Sequence, residues 1–287
     1  MKIRKAVLPA AGFGTRFLPV TKTIPKEMLP IVDKPVIQYL IEEAVASGIE
    51  EIIIVSGRGK RAIEDHFDHA YELEHILLEK GKNHLLEEIK GIPSMAKFFY
   101  VRQSFQLGDG HAVLCAKELI GNEPFAVMFG DDIIDGPKPG IQQLIDVFEQ
   151  KQASVIGLEK VEPQNVSSYG VIGPSSSDGR LHEVSTMVEK PQPQDAPSDL
   201  AIIGKYVVTP EIFEALENCQ ASKDNEIRLI DGFRKLIETQ KIYGYELEGK
   251  RYDTGDKFGL IQATIDFALK REDIGPQLKA YLRQLEL

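Results

Sequence analysis

The sequence predicts an α/β fold built on a mostly parallel, mixed sheet. Short apolar runs recur along the first half of the chain, and segments with helical periodicity separate them. This alternation is typical of βαβ units, and the nearly continuous apolar character of the runs indicates strands that are buried on both faces. The four runs are KAVLPA (5–10), EIIIVS (51–56), KFFYVRQ (97–103) and PFAVMFGDD (124–132).

Helices are predicted between these strands. The segment that follows the first run begins at Pro35 and meets Gly48 past its end, which are favourable residues for the two ends of a helix. Residues 60–92 are rich in Glu, His and Leu and predict a helical hairpin over one edge of the sheet. The apolar face of the first helix consists of Val36, Leu40, Ile41, Ala44 and Val45.

The second half of the chain predicts antiparallel strands. Four runs follow one another with turns but no room for helices, and helical patterns return at 210–218, 226–240 and 256–285. We therefore expect a single domain, residues 1–287, with halves of about 1–150 and 151–287, the second of which adds a lobe over the sheet. The four runs are SVIGLEKV (154–161), YGVIGP (169–174), LHEVSTMVEK (181–190) and LAIIGKYVVTP (200–210), and a Pro-rich surface loop (191–199) precedes the last.

The charge distribution argues against polymeric anions as partners. The formal net charge is −10, whereas nucleic acids and anionic membranes select basic surfaces. Residues 1–34 nevertheless carry seven basic and two acidic side chains, a sum of +5, so the remaining residues sum to −15. A basic segment in an acidic protein predicts a site for a small anion such as phosphate.

The cysteines and the N-terminus indicate a reduced, cytoplasmic protein. Cys115 and Cys219 are far apart and have neither metal-binding nor redox spacing. The apolar run after Met1 reaches glycine within a few residues, which is too short for a signal peptide or a membrane span.

A glycine-rich loop follows the first predicted strand, in LPAAGFGTRFLPVTKTIPKEMLP (8–30). It matches neither the dinucleotide fingerprint G-x-G-x-x-G nor the P-loop, because Phe17 stands where each requires glycine. A plain tight turn would account for Gly12 and Gly14 alone.

The basic residues after these glycines, Arg16, Lys22 and Lys26, favour a phosphate site instead. Backbone N–H groups near small residues can bind phosphate oxygens, while Arg supplies a forked donor and Lys a point charge. This loop, RQSFQLGDGHA (102–112) and GDDIID (130–135) all follow strands. In open α/β sheets the carboxyl ends of strands form the ligand site, so the three should converge.

Carboxylates in two segments are candidate ligands for Mg²⁺, which prefers one or two carboxylates together with substrate phosphates. Asp131 and Asp132 follow a buried strand and must point in different directions, so one can face the site while the other forms a turn. In KRYDTGDKFG, Asp256 suits the N-cap of the next helix, so we favour Asp253 as the ligand. The alternative is that all of them only form turns and caps.

Glu189 and Lys190 lie side by side at the end of a predicted strand. Neighbours on a strand face opposite sides, so a solvated pair is one interpretation. A functional pair requires a local twist that directs both side chains inward.

Together these motifs resemble the bacterial UTP-glucose-1-phosphate uridylyltransferases (UDP-glucose pyrophosphorylases) of the sugar nucleotidylyltransferase family. The resemblance runs nearly end to end and is most specific in G-x-G-T-R followed by P-K-E-M-L-P. Related thymidylyltransferases share the first motif, but K-E-M and RQ…GHAVLCA fit the uridylyl family better. The remaining motifs are GDDII, YGVI, VEKP and DTGDKFG.

The resemblance implies a Rossmann-like three-layer nucleotidyltransferase fold with a nucleotide-binding half and a sugar-phosphate-binding half. It also implies Mg²⁺ as cofactor and a role for each matching residue. Some members have Pro-Asp-Val at 130–132, and the first Asp keeps the register. The implied contacts are the nucleotide for Ala11, Gly12, Gly14, Thr15, Gln103 and Gly108, the triphosphate for Arg16 and Lys26, Mg²⁺ for Asp131 and Asp253, the sugar for Gly170 and Glu189, and the sugar phosphate for Lys190.

The function expected from the resemblance is uridylyl transfer from UTP to glucose 1-phosphate without a covalent intermediate, with no nucleic acid or membrane partner. Transfer to another sugar 1-phosphate, thymidylyl transfer and non-catalytic nucleotide-sugar sensing are alternatives. An NAD-dependent oxidoreductase would need the missing third glycine. An apolar edge could be either core or the face of a homo-oligomer.

Overall fold

The α/β prediction is confirmed in the computed structural model, which describes residues 2–219 and 225–285. A nine-stranded mixed sheet carries helices on both faces. The strands are β1 (Lys5–Ala10), β2 (Pro30–Ile31), β3 (Lys34–Pro35), β4 (Glu51–Ser56), β5 (Lys97–Arg102), β6 (Phe125–Met128), β7 (Asp132–Asp135), β8 (Val155–Lys160), β9 (Gly170–Asp178), β10 (Leu181–Glu189), β11 (Leu200–Val208), β12 (Tyr243–Glu246) and β13 (Lys250–Asp253).

The helices match the predicted helical segments, with more breaks than the periodicity indicates. The α-helices are α1 (Val36–Ala46), α2 (Arg61–His66), α3 (Tyr71–Glu79), α4 (Asn83–Lys90), α5 (Asp109–Leu114), α6 (Lys117–Ile120), α7 (Gly140–Lys151), α8 (Ile212–Glu217), α9 (Leu229–Leu236), α10 (Lys257–Lys270) and α11 (Gly275–Gln284). Short 3₁₀ helices span Thr15–Phe17, Val20–Lys22, Lys26–Met28, Ile92–Ser94, Pro163–Ser168 and Pro193–Asp195. Among the described residues, no helix combines the length and apolar character needed to cross a membrane.

The sheet order is β5-β4-β1-β6-β11-β8-β12-β10-β9. The first four strands are parallel, so their carboxyl ends share one edge. The second half begins with antiparallel pairing, as predicted, because β11 inserts between β6 and β8 and runs opposite to both. Its strands extend the same sheet, and β12 returns parallel to β8.

Side chains alternate along the central strands between two hydrophobic layers. Leu8 of β1 packs in the layer formed with α1 and α7, and its neighbour Val7 packs in the layer formed with α5, α8 and α9. This arrangement is the three-layer architecture expected of strands buried on both faces.

One predicted cap and one unpredicted pairing position the loops at the carboxyl edge of the parallel strands. Asp256 caps α10, as predicted, by accepting hydrogen bonds from the backbone N–H groups of Phe258 and Gly259. The pattern did not predict β7 and β13, which pair antiparallel with Asp132 opposite Asp253. This pairing joins segments about 120 residues apart in the chain.

A buried ion pair connects α1 to β11. Lys205 is fully buried and its Nζ lies 2.8 Å from Glu43 Oε2. The other oxygen of Glu43 accepts the backbone N–H of Ile141 at the start of α7, 2.8 Å away. Removing the ammonium would therefore leave a buried carboxylate without its counter-charge.

We expect Lys205→Met to lower the free energy of unfolding by about 3–5 kcal/mol, the usual loss when one partner of a buried pair is removed. Urea denaturation measures the change. Lys2→Met is the control, because Lys2 is 62% exposed beside Glu50, and it should change stability by no more than about 0.5 kcal/mol. Equal losses in the two variants would contradict this prediction.

Candidate active site

The three glycine-containing or acidic loops predicted to converge do meet at the carboxyl edge of the parallel strands. The glycine-rich loop and the loop after β5 border a cleft of about 510 Å³, and the acidic loop joins them just outside its lining. Among the residues named from the sequence, the cleft is lined by Ala11, Gly12, Gly14, Thr15, Lys26, Gln103, Gly108, Glu189 and Lys190. Arg16, Asp131, Asp253 and Gly170 lie outside this lining.

The glycine-rich loop folds back on itself. Gly14 has φ 65°, and its carbonyl accepts a hydrogen bond from Thr21 Oγ1 at 2.7 Å. A Cβ at Gly14 would lie only 3.1 Å from the Cβ of Lys26. Because glycine has no Cβ, the segment that carries Lys26 can pack closely against Gly14, and Lys26 borders the cleft.

One wall of the cleft presents an amide. Gln103 is 5% exposed, and its Nε2 donates to the carbonyl of Gly108 at 3.0 Å and to His111 Nδ1 at 2.9 Å. These bonds use both amide hydrogens and leave Oε1 as an acceptor. Gln106 Nε2 donates to the carbonyl of Ala11 at 2.7 Å and so ties this wall to the glycine-rich loop.

Gly108 is constrained by a segment from the second half of the chain. Its φ is 98°, and a Cβ there would lie 2.4 Å from the carbonyl oxygen of Ile227. The backbone of Ile227 also exchanges hydrogen bonds with Leu107 and Gly110. Only glycine allows the two segments to approach so closely.

Asp131 faces the basic loop. Lys26 Nζ donates to its Oδ2 at 2.7 Å, and both side chains are about one quarter exposed. Burial opposes the charged form of Asp131, yet Lys26 and then Arg16 hold the pKa of this carboxyl below its usual value. Burial likewise opposes the charge on Lys26, whose pKa is nevertheless raised by Asp131 and Glu27.

Asp132 points the other way, into the protein. Its Oδ2 accepts the backbone N–H of Gly204 at 2.8 Å, and its Oδ1 accepts a hydrogen bond from Arg251 Nε. The side chain is only 8% exposed. The two neighbouring aspartates thus divide as the alternation of a strand predicts, and Asp132 fixes Arg251.

Asp253 converges on Asp131 around Gly255. A Cβ at Gly255 would lie 2.7 Å from Asp131 Oδ2 and 3.1 Å from Asp253 Oδ1. Burial, together with the charges of Asp132 and Asp131, raises the pKa of Asp253, while Arg251 lowers it. Arg16 Nη1 donates to the Gly255 carbonyl at 3.3 Å, and Arg16 and Asp253 line a second hollow of about 480 Å³.

Glu189 and Lys190 both border the cleft because the chain twists between them. Lys190 has φ 47°, an unusual value for a residue with a Cβ, and its backbone N–H donates to the Tyr169 carbonyl at 2.9 Å. Gly170 lies opposite Glu189 in the sheet, where a Cβ would be 3.2 Å from Glu189 Oε2. The required inward twist is therefore present.

The sequence did not predict four charged residues that line the cleft: Glu27, Asp109, Glu226 and Arg228. Asp109 lies beside Gly108 in the motif LGDGHAV, and Arg228 lies in a segment with helical periodicity (226–240). Glu27 is buried and binds Lys60 Nζ at 2.8 Å, while its other oxygen has no hydrogen-bond partner in the described part of the chain. For Asp109, the sequence signal was a polar residue directly beside a loop glycine.

Comparison with known proteins agrees with the fold and with the motifs. A family model described as nucleotidyl transferase matches residues 5–269. UTP-glucose-1-phosphate uridylyltransferase of Staphylococcus epidermidis is 53% identical over 286 residues, which cover 100% of this chain and 99% of that protein. The enzyme of the same name from Bacillus subtilis (strain 168) is 53% identical over 284 residues, covering 99% of this chain and 97% of that protein.

Two solved structures are also similar. UDP-glucose pyrophosphorylase complexed with UDP-glucose has a TM-score of 0.86 and 46% identity, covering 94% of this chain and 100% of that one. UTP-bound UGPase from Acinetobacter baumannii has a TM-score of 0.93 and 38% identity, covering 99% and 100% of the two chains. The chain therefore belongs to the nucleotidyl transferase family and, within it, to the family of the UTP-glucose-1-phosphate uridylyltransferases.

Proposed function

We propose that this protein transfers the uridylyl group of UTP to glucose 1-phosphate and releases pyrophosphate. The observation that carries the proposal is that Lys26 and Lys190 line one cleft, between the amide wall of Gln103 and the acidic side chain of Glu189. Such a cleft offers separate places for a base, two phosphate groups and a sugar. Relatives named for this reaction and a UTP-bound relative support it.

The two halves of the chain would divide the substrates. Residues of about 1–150 supply the glycine-rich loop and Gln103, whose Oε1 can accept the N3–H of uracil. Residues of about 151–287 supply Glu189 and Lys190 for the sugar phosphate. Thymine carries the same N3–H, so thymidylyl transfer is the alternative that the amide alone leaves open.

In the proposed reaction an oxygen of the sugar phosphate attacks the α-phosphorus of UTP. A new P–O bond forms as the bond to the bridging oxygen of the β-phosphate breaks, and pyrophosphate departs in line. Both reactants are anions, so fixed positive charge and orientation supply most of the catalysis. Lys190 would orient the attacking phosphate, while Arg16 and Lys26 would stabilise the leaving pyrophosphate.

The acidic pair fits Mg²⁺. Asp131 and Asp253 converge on a position that a single Cβ at Gly255 would fill, and carboxylate oxygens are the donors that this ion prefers. These two residues would hold the ion, and when bound it supplies positive charge for phosphate oxygens. Among the described residues, no group of three or more His, Cys, Asp or Glu side chains is arranged to hold a metal ion.

The proposal is tested by Mg²⁺-dependent pyrophosphate release from the purified protein with UTP, dTTP, ATP or CTP, each with and without glucose 1-phosphate. Release confined to UTP with the sugar phosphate supports uridylyl transfer. Release with dTTP alone would replace it by thymidylyl transfer. UTP binding without pyrophosphate release under any of these conditions would favour a non-catalytic nucleotide-sugar sensor.

Gly108→Ala is expected to raise the KM for UTP about tenfold or more, because the new Cβ would push against Ile227 and displace the wall that carries Gln103. Gly179→Ala is the control, since Gly179 also has positive φ (58°) but nothing within 4 Å of its Cβ position. Gly179→Ala should cost about 1 kcal/mol of stability, and Gly108→Ala should cost more, because the close contact with Ile227 adds to the strain of a positive φ. Steady-state kinetics showing the same KM for UTP in both variants would contradict the assignment of this wall.

A further inference from the structure

A small recess opens beside the cleft and shares two acidic residues with it. The recess has a volume of about 80 Å³, and Asp109 and Glu189 border both spaces. Tyr206 and Arg228 add polar groups, and Ile202 and Phe233 add apolar surface. Lys190 borders only the cleft, next to the point where the recess begins.

Asp109 is held in place by one of its two carboxylate oxygens. Oδ1 accepts the backbone N–H of Gly110 at 2.7 Å and that of Leu229 at 2.9 Å. Asp109 is exposed on the cleft side, where it forms part of the cleft lining. The second oxygen, Oδ2, takes part in neither of these bonds, so the carboxylate is oriented without being fully engaged.

The recess lining carries two acidic side chains and the basic Arg228, and its acidic side favours a neutral, hydroxylated group. Two carboxylates would repel a phosphate, whereas each can accept hydrogen bonds from hydroxyl groups. The surrounding protein and the nearby charge of Glu189 raise the pKa of Asp109, as expected for two acids that share one space. Ile202 and Phe233 suit the apolar C–H face of a pyranose ring, and the adjacent Lys190 suits its phosphate.

We propose that Asp109 is a specificity-determining residue, whose Oδ2 accepts a hydrogen bond from one ring hydroxyl of the sugar 1-phosphate. This inference rests on the proposed function and adds the residue that distinguishes sugars by a hydroxyl group. Glu189 would serve the ring from the other side of the recess. Asp109 also joins the loop before α5 to the start of α9, so the sugar contact and the loop contact use different oxygens of one carboxylate.

Asp109→Asn separates the two contacts. The substituted side chain retains an oxygen that can accept both backbone N–H groups, but it replaces the second oxygen with a donor. The loop should therefore stay in place, and the midpoint of urea denaturation should not fall. Asp231→Asn is the matched control, because Asp231 lies on α9, pairs with Arg234 and does not line the recess.

The experiment measures kinetics of both variants and the wild type with UTP and five sugars: glucose 1-phosphate and its 2-, 3-, 4- and 6-deoxy analogues. We expect Asp109→Asn to raise the KM for glucose 1-phosphate about 10- to 100-fold, as for loss of a hydrogen bond to a charged group, and to change the KM for UTP less than twofold. With the deoxy analogue that lacks the hydroxyl group bound by Asp109, the wild type and Asp109→Asn should have the same raised KM.

If Asp109→Asn raised the KM by the same factor for glucose 1-phosphate and all four analogues, this inference would be overturned. A displaced loop would weaken the binding of every sugar phosphate equally, whether or not one hydroxyl group is present. A loss confined to the KM for UTP would overturn it as well. Either result leaves the proposed function standing if the wild type makes product. Failure of the wild type with every sugar phosphate would instead overturn the proposed function, and this inference with it.

Discussion

Replacing Lys190 with alanine should lower turnover by roughly 10²- to 10³-fold, the usual effect of removing one group that stabilises charge at the reacting centre. Lys190 borders the cleft next to Glu189, 3.6 Å from its Oε1, and its side chain is 61% exposed. In the absence of substrate its ammonium is therefore held only loosely. We expect it to bind the sugar phosphate and to orient the attacking oxygen.

UTP affinity should stay within about twofold of wild type in this variant, because the triphosphate is assigned to Arg16 and Lys26. Alanine also carries a Cβ, so the unfavourable backbone conformation at φ 47° is the same before and after the change. Calorimetric titration with UTP and steady-state kinetics with both substrates give the two quantities separately. Lys160→Ala is the control, since Lys160 is 66% exposed and pairs with Asp199.

Two outcomes would contradict the role of Lys190. Near-normal turnover in Lys190→Ala would show that the ammonium is dispensable for orienting the sugar phosphate. A large loss of UTP affinity would assign Lys190 to the triphosphate instead. Lys160→Ala should behave as wild type in both measurements.

The parallel half of the fold was predictable because its signals are local. Each of the strands β1, β4 and β5 is an apolar run that folds where the pattern places it, and α1 begins after Pro35 and ends before Gly48. The convergence of their loops follows from parallel pairing alone. For the same reason the positions of Gln103 and the glycine-rich loop could be predicted without coordinates.

The rest of the site depends on contacts that local patterns do not carry. β7 and β13 are four residues long, and their pairing alone brings Asp253 next to the Asp131–Asp132 segment. The positive φ of Lys190 is set by the tertiary hydrogen bond to Tyr169, whereas alternation on a strand would have turned Glu189 and Lys190 apart. Asp109 is identified only when α9 packs against it.

The neighbouring pair Asp131 and Asp132 gives the second large effect, because the same chemical change should have different consequences at the two positions. Asp131→Asn is expected to lower turnover by at least 10²-fold, since it removes the carboxylate that holds Lys26 and faces Asp253. Its stability should fall less than that of Asp132→Asn, because the Lys26–Asp131 pair is about one quarter exposed whereas the Arg251–Asp132 pair is buried. The measurements are pyrophosphate release and urea denaturation.

Asp132→Asn should instead cost stability, up to about 3–5 kcal/mol, because it removes the charge that compensates Arg251 in a buried pair. Arg251 also contacts Glu159 Oε2 at 2.9 Å, which moderates the loss, and asparagine can still accept the N–H of Gly204. Turnover per folded molecule should fall less than in Asp131→Asn. The reverse order of activities would move the metal ligand to Asp132, and equal stabilities would contradict the buried pair. The two isosteric changes thus test whether Asp131 serves the reaction while Asp132 holds Arg251 and the start of β7.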